Sequence, residues 1–141
     1  MTALVEKVRE EVERVHVFFV DWFNGTAAAE DLDRFLVPRF DQGMMLVSPD
    51  GSMASGSDVI AMFRTARGAN TEFGIAITNV EIQHDLGSHL LVTYTEWQQG
   101  ATDAAHQENA RVSTLLMTKR EPYKWLHVHE SLLARLPDSI G

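Results

Sequence analysis

Two charged residues in the last third of the chain, Arg111 and Glu130, are the first candidates for a chemical role. Each lies in a segment whose alternating or β-branched residues predict a β-strand. Because side chains alternate across a strand, parity places each of them on a largely apolar face. Burying either ion alone is costly, so we expect the two to pair with each other or to meet a ligand.

Two interpretations of this pair remain open. In the first, Arg111 and Glu130 form a structural salt bridge between adjacent strands. In the second, Arg111 recognises an anion, and Glu130 orients the arginine or acts as a general acid or base.

Other candidates for a ligand site share the predicted inward parity or lie at the aromatic end of the first helix. They are Thr93, Thr95, Trp97, Ser113 and Trp22. For Trp22, packing in the core under the sheet is the alternative interpretation. A mostly apolar cavity with a few convergent polar groups is typical of small-molecule sites, and we expect such a cavity around Arg111.

The histidines His127 and His129 share the opposite face of their predicted strand. Their spacing occurs in some metal sites, but the sequence has no HExxH motif or dense His/Asp cluster to supply a third ligand. We therefore expect no metal and no cofactor.

The predicted outer face of the last two strands also carries apolar side chains. Because an apolar face that spans two strands is seldom left open to water, we predict a homodimer through this outer sheet face. The residues assigned to that face are His127, His129, Trp125, Val112, Thr114 and Leu116.

Composition excludes several classes of function. A formal net charge of −8 and a pI near 5.1 argue against binding to nucleic acid or to an anionic membrane as the main task. The chain has no cysteine, no apolar segment typical of a signal peptide and no run of apolar residues long enough to span a membrane. We expect a cytoplasmic protein in which residues 1–141 form a single domain.

The predicted elements are three N-terminal helices followed by four long strands. Periodic apolar residues predict a helix that ends at Asn24 and Gly25, a second over residues 26–36, and a third over 58–67 with Ser57 as its cap. A small hairpin over residues 43–54 separates the last two. The four strands cover about residues 72–84, 89–99, 107–118 and 123–133. This order predicts an α+β fold in which a cone-shaped, curved antiparallel sheet wraps around the helices.

Three passages in the last half of the chain resemble a known family. They are residues 74–83 with the following strand 90–97, residues 107–112 (Gln-Glu-Asn-Ala-Arg-Val) and residues 124–131 (Lys-Trp-Leu-His-Val-His-Glu-Ser). Together with the element order, they resemble the nuclear transport factor 2-like superfamily, in particular the association domain of calcium/calmodulin-dependent protein kinase II and its bacterial relatives. The resemblance implies that Arg111 points into the cone. Glu130 departs from the family, which often has an aromatic or basic residue near that position.

The superfamily also includes ketosteroid isomerases, whose residues are not matched here. Those enzymes need a tyrosine late in the first helix and a carboxylate base at the first hairpin. The helix offers phenylalanines and Trp22, and the inward hairpin candidate is Ser48, while Asp50 lies in the turn. We therefore expect a homodimeric small-molecule-binding domain whose ligand is anionic or carbonyl-bearing. The alternative is a small enzyme of isomerase, dehydratase or hydrolase type that uses Glu130 or a histidine as acid/base.

Overall fold

A computed structural model describes residues 3–101 and 108–133 of the chain. Its helical elements are α1 (Ala3–Asn24), a short π-type segment (Leu32–Leu36), a 3-10 turn (Val37–Arg39) and α2 (Gly56–Ala66). The strands are β1 (Phe40–Val47), β2 (Met53–Ser55), β3 (Gly74–Asp85), β4 (His89–Gln99), β5 (Asn109–Thr118) and β6 (Trp125–Leu132). In these ranges no helix is both long enough and apolar enough to cross a membrane. The cytoplasmic location stays a prediction.

The six strands form one curved, unclosed sheet in the order β2-β1-β6-β5-β4-β3. The predicted α+β cone is confirmed, with one correction: the sheet is mixed, because β1 pairs with β6 in parallel. Strands β3 to β6 form an antiparallel meander, which fixes the direction of β6. Since β2 already occupies one edge of β1, the other edge of β1 accepts β6 in that direction.

Helix α1 packs its apolar stripe into the concave face of the sheet. Val8, Val12 and Val15 are completely buried, and each contributes about 1.5–3 kcal/mol through removal of apolar surface from water. The helix ends as predicted at Asn24, and Gly25 follows with a φ of +82°, a conformation that disfavours residues with a Cβ.

The other two predicted helices differ from the structure in their bounds. Residues 26–30 form bends and turns instead of helix, and the Asp31 carboxylate accepts a hydrogen bond from the Ala28 N–H at 3.1 Å there. Helix α2 begins two residues earlier than predicted, because Ser55 and not Ser57 is its N-cap. The Ser55 hydroxyl accepts from the Asp58 N–H, and the Asp58 carboxylate accepts from the Ser55 N–H, which forms a capping box.

A buried carboxylate on α1 ties the helix to β6. Glu11 is only 3% exposed; it accepts a hydrogen bond from Arg39 Nε at 3.0 Å and one from Trp125 Nε1 at 3.0 Å. The Arg39 guanidinium lies 3.8 Å from the centre of the Phe35 ring. These contacts offset the cost of removing the Glu11 charge from water.

The position of Trp125 corrects the predicted outer face. Leu116 pairs with His127, but the next residue, Met117, pairs with Trp125, so Leu126 is an extra residue in β6. This irregularity reverses the alternation at the start of β6. Trp125 therefore points into the core, 2% exposed, while His127 and His129 keep the predicted outward orientation.

Candidate functional site

A cavity of about 790 Å³ lies between α1, α2 and the concave face of the sheet. Most of its wall is apolar, and α1 and α2 provide the aromatic side chains Phe19, Phe23 and Phe63. At one end the wall becomes polar, where the helix contributes one residue and strands β4, β5 and β6 contribute the rest. These residues are His16, Tyr94, Glu96, Gln98, Arg111 and Glu130.

The sheet register brings Arg111 and Glu130 together. Glu96 on β4 lies opposite Arg111 on β5, and Ser113, two residues further along β5, lies opposite Glu130 on β6. Arg111 Nη1 donates to Glu130 Oε1 at 3.3 Å, and the two side chains are 11% and 13% exposed. Both line the cavity, as the parity of their strands predicted.

The other donors of Arg111 bind neutral amides. Its Nη2 donates to Asn109 Oδ1 at 3.1 Å and to Gln98 Oε1 at 3.2 Å. The Gln98 amide nitrogen donates in turn to Glu96 Oε2 at 2.6 Å. Gln98 therefore bridges Arg111 and Glu96, and no direct hydrogen bond joins those two side chains in the described residues.

A histidine on α1 completes the polar end. His16 Nε2 lies 3.0 Å from Glu96 Oε1, and these side chains are 4% and 6% exposed. His16 Nδ1 lies 2.8 Å from the carbonyl oxygen of Val12. A carbonyl oxygen only accepts, so Nδ1 carries a proton that it donates to Val12. The imidazole ring packs edge-on against Phe19 and Tyr94, with centroid distances of 5.1 and 5.3 Å.

The surroundings of Glu96 and Glu130 shift the pKa values of the two carboxyl groups in opposite directions. Burial and the negative charge of Glu96 raise the pKa of Glu130 to about 7, although Arg111 and His16 act in the opposite direction. For Glu96, burial favours the neutral form, but the charge and hydrogen bond of His16 outweigh it and lower the pKa. Burial opposes the charged form of His16 too, yet Glu96 raises the pKa of the imidazole. Glu96 thus favours its ionised form, and Glu130 titrates near neutral pH.

Tyr94 is the remaining titratable group that faces these residues from β4. Burial, together with the charges of Glu96 and Glu130, raises the pKa of its phenol well above the ordinary value. The phenol therefore stays protonated, and Tyr94 contributes to the wall of the cavity as a neutral residue.

Three of the predicted ligand-site residues do not face the cavity. Thr95 and Trp97 lie on the opposite face of β4, because Tyr94, which lines the cavity, pairs with the inward Ser113. Trp97 Nε1 donates to Thr78 Oγ1 at 2.8 Å. The inward parity assigned to Thr93, Thr95 and Trp97 is therefore corrected.

Trp22 and Ser113 belong to the packed interior instead of the cavity wall. Trp22 is 2% exposed, stacks on Phe18 and donates from Nε1 to the carbonyl oxygen of Phe63 at 2.7 Å. Ser113 has the predicted inward direction but is completely buried and does not line the cavity. For Trp22 the core interpretation describes its position.

Four of the six residues at the polar end, His16, Tyr94, Glu96 and Gln98, were missed by the sequence reasoning, and two of them carry charge-bearing groups that it could have noticed, His16 and Glu96. His16 follows Val12 by four residues and precedes Phe19 by three, so it falls within the apolar stripe of α1, where a polar residue is unusual. Glu96 continues the apolar alternation of Val92 and Tyr94 along β4. A polar residue that interrupts an apolar face was the available signal at both positions.

The histidines of the outer face gather no metal ligands in the described part of the chain. His127 pairs with Leu116 and His129 with Thr114 across β5. Residues 3–101 and 108–133 contain no group of three or more His, Cys, Asp or Glu side chains that could hold a metal ion.

Comparisons with solved structures find the same fold. A crystal structure of an NTF2-like protein of unknown function from Pseudomonas aeruginosa is 26% identical, has a TM-score of 0.78, and the match covers 90% of this chain and 98% of that one. An NTF2-like protein from Cytophaga hutchinsonii is 12% identical with a TM-score of 0.68, over 94% and 100% of the two chains. The association domain of C. elegans CaMKII is 18% identical with a TM-score of 0.54, over 89% and 96%.

Comparison with family models gives a match over most of the chain. The model of the SnoaL-like domain matches residues 15–135, a range that includes the candidate site from His16 to Glu130. No curated protein matches the chain. The fold and the family match agree with the resemblance to the nuclear transport factor 2-like superfamily, and the chain belongs to the SnoaL-like domain family of that superfamily.

Proposed function

We propose that the cone binds a small organic molecule whose anionic or carbonyl group contacts Arg111. The observation that carries this proposal is the position of the guanidinium, 11% exposed at the polar end of a cavity of about 790 Å³. Cavities of roughly 300–1,000 Å³ with apolar walls and few polar groups are the usual sites of small ligands. The apolar wall receives the body of the molecule, and Arg111 receives its polar group.

The charge state of Glu130 supports an anionic or carbonyl-bearing ligand. Arg111 is always charged, whereas Glu130 is neutral below its pKa of about 7. Below that pH, none of the hydrogen-bond partners of Arg111 in the described residues is an ionised carboxylate. A ligand carboxylate supplies the missing negative charge, and a ligand carbonyl accepts hydrogen bonds from the same donors.

A second candidate function is proton transfer by Glu130. A carboxyl group with a pKa of about 7 can take and return a proton near neutral pH, as a general acid/base must. In the described structure, its hydrogen bonding consists of the contact with Arg111. His16 is a poor candidate for the same role, because both of its ring nitrogens are engaged by Val12 and Glu96.

The outer face of the sheet supports a homodimer. Val112 is 37% exposed there, next to Thr114, Leu116, His127 and His129 on two adjacent strands. Removal of Trp125 from this face leaves it smaller than predicted, but still partly apolar. The association domain of C. elegans CaMKII has a similar fold, which is consistent with assembly of this chain through a related surface.

Replacement of Arg111 by Met keeps the length of the side chain and removes its charge and donors. With phenylacetate as the probe at pH 6, we expect Arg111→Met to weaken binding at least about tenfold, since a charge-assisted contact is lost. The measurement is a titration followed by amide chemical shifts. Arg64→Met is the matched control, because Arg64 pairs with Asp33 at the surface and does not line the cavity. Equal affinity of Arg111→Met and the parent, or no binding of phenylacetate at millimolar concentration, would contradict the proposal.

Proton transfer by Glu130 is testable with phenylacetone, a ketone whose methylene protons are acidic. In deuterated buffer near pH 7, we expect the protein to accelerate exchange of these protons, and Glu130→Gln to slow it about 100-fold, the lower range for general acid–base catalysis. Loss of the methylene signal in proton NMR gives the rate. Glu81→Gln, an exposed carboxylate on β3, serves as control. Exchange no faster than in buffer alone would exclude this function and leave ligand binding unaffected.

The pKa of Glu130 also predicts how stability depends on pH. The group has a pKa of about 7 in the folded state against an ordinary 4.5, so the folded state holds the proton more tightly. The contribution of Glu130 to the free energy of unfolding is therefore fully present below pH 4.5, and it is lost as the pH rises from 4.5 through about 7. In urea unfolding, Glu130→Gln should gain up to about 3 kcal/mol relative to the parent between pH 4.5 and pH 8. An equal difference between the two proteins at both pH values would show that Glu130 is not perturbed.

Substitution of Val112 by Glu tests the dimer. A charge in a dry interface is costly, so the parent should sediment as a dimer at micromolar concentration and Val112→Glu as a monomer. Val17→Glu is the matched control, since Val17 is 58% exposed on α1, away from the outer sheet face. A monomeric parent protein would refute the homodimer.

A further inference from the structure

The pair formed by His16 and Glu96 has a fixed proton count. Nδ1 of His16 carries one proton, which it donates to the carbonyl oxygen of Val12. A second proton lies between His16 Nε2 and Glu96 Oε1, which are 3.0 Å apart. Whether this proton resides on the imidazole or on the carboxyl group, the pair has a net charge of zero.

The neutrality of this pair affects Arg111 through Gln98. The amide of Gln98 donates to Glu96 and accepts from Arg111, so the carboxylate and the guanidinium are separated by one side chain. Glu96 also lies directly opposite Arg111 in the register of β4 and β5. Without His16, Arg111 would be the cation that neutralises Glu96. The ionised carboxylate of Glu96 would then pair with the guanidinium, which would no longer be available to a ligand.

We propose that His16 determines the charge specificity of the pocket: by neutralising Glu96 within a closed pair, it leaves Arg111 available to one negative group of a ligand. This inference rests on the proposed binding of a ligand at Arg111 and adds a positioning residue that does not itself contact the ligand. At the polar end of the cavity a carboxylate is then preferred over a neutral molecule of the same shape, because the salt-bridge partners Arg111 and Glu130 together carry one positive charge while Glu130 is protonated.

The competing interpretation is that His16 simply anchors α1 to β4. Its ring packs against Phe19 and Tyr94 and is 4% exposed, as expected of an anchor. The two interpretations differ in what removal of the imidazole does. Loss of an anchor disturbs the cavity for every ligand, whereas loss of the neutralising charge affects anions selectively and is repaired when Glu96 also becomes neutral.

The experiment compares His16→Gln with the double variant His16→Gln/Glu96→Gln. Gln keeps a donor near the position of Nε2 but cannot be charged. The probes are phenylacetate and its neutral ketone analogue phenylacetone, titrated at pH 6 and followed by amide chemical shifts. We expect His16→Gln to weaken phenylacetate binding at least about tenfold and phenylacetone binding less than about twofold, a change in charge selectivity. The double variant should restore phenylacetate affinity to within about threefold of the parent, because it removes the carboxylate that competes for Arg111.

Three outcomes would overturn the inference. Equal weakening of both probes by His16→Gln would identify His16 as an anchor. Failure of the double variant to recover phenylacetate binding would show that Glu96 does not compete for Arg111. Should His16→Gln not fold, the double variant decides alone, and a loss of its selectivity for phenylacetate refutes the proposal. If the parent protein binds neither probe, the inference and the proposed function both fail. This result is distinct from the three outcomes above, in which the parent protein still binds.

Discussion

The position of α1 in the concave face of the sheet is the constraint on which the pocket depends. Its apolar stripe would fit the sheet in several orientations, because dispersion and burial of apolar surface have little directional preference. Two polar residues on the buried side of the helix, Glu11 and His16, require specific partners on different strands. Since an unpaired buried charge is costly, the contacts of Glu11 with Trp125 and of His16 with Glu96 select one orientation.

The same contacts separate a packed half of the interior from an open half. Towards the start of α1, Val8 and Val12 are completely buried in a core with Leu115 and Met117. Beyond His16, the helix and α2 contribute aromatic rings that surround the cavity instead of filling it. The polar groups at the boundary are held by one another, through Gln98 and Asn109, so the donors that the proposed ligand would meet are already oriented.

Much of the fold could be predicted from the sequence, but of the six residues at the polar end of the cavity only Arg111 and Glu130 were predicted. The alternation of β5 is uninterrupted against β4, so the direction of Arg111 followed from parity. Parity failed at Trp125, because Leu126 is inserted in the pairing and hydrophobicity alone does not reveal a bulge. It failed on β4 because residues of both faces are buried there, Trp97 on one and Tyr94 on the other, so apolar character could not identify the inner face.

The chemistry could be predicted less well than the fold, because it depends on how charges combine across elements distant in sequence. Arg111 and Glu130 alone make an ordinary salt bridge. Glu96 on β4 places a second carboxylate near Glu130 in the same cavity, and ionisation of Glu130 becomes unfavourable. The addition of His16, 80 residues from Glu96, determines which of the two carboxylates keeps its charge. The cone is the fold that the chain shares with its structural relatives, whereas this placement of four ionisable groups is a property of the individual side chains and must be derived from them.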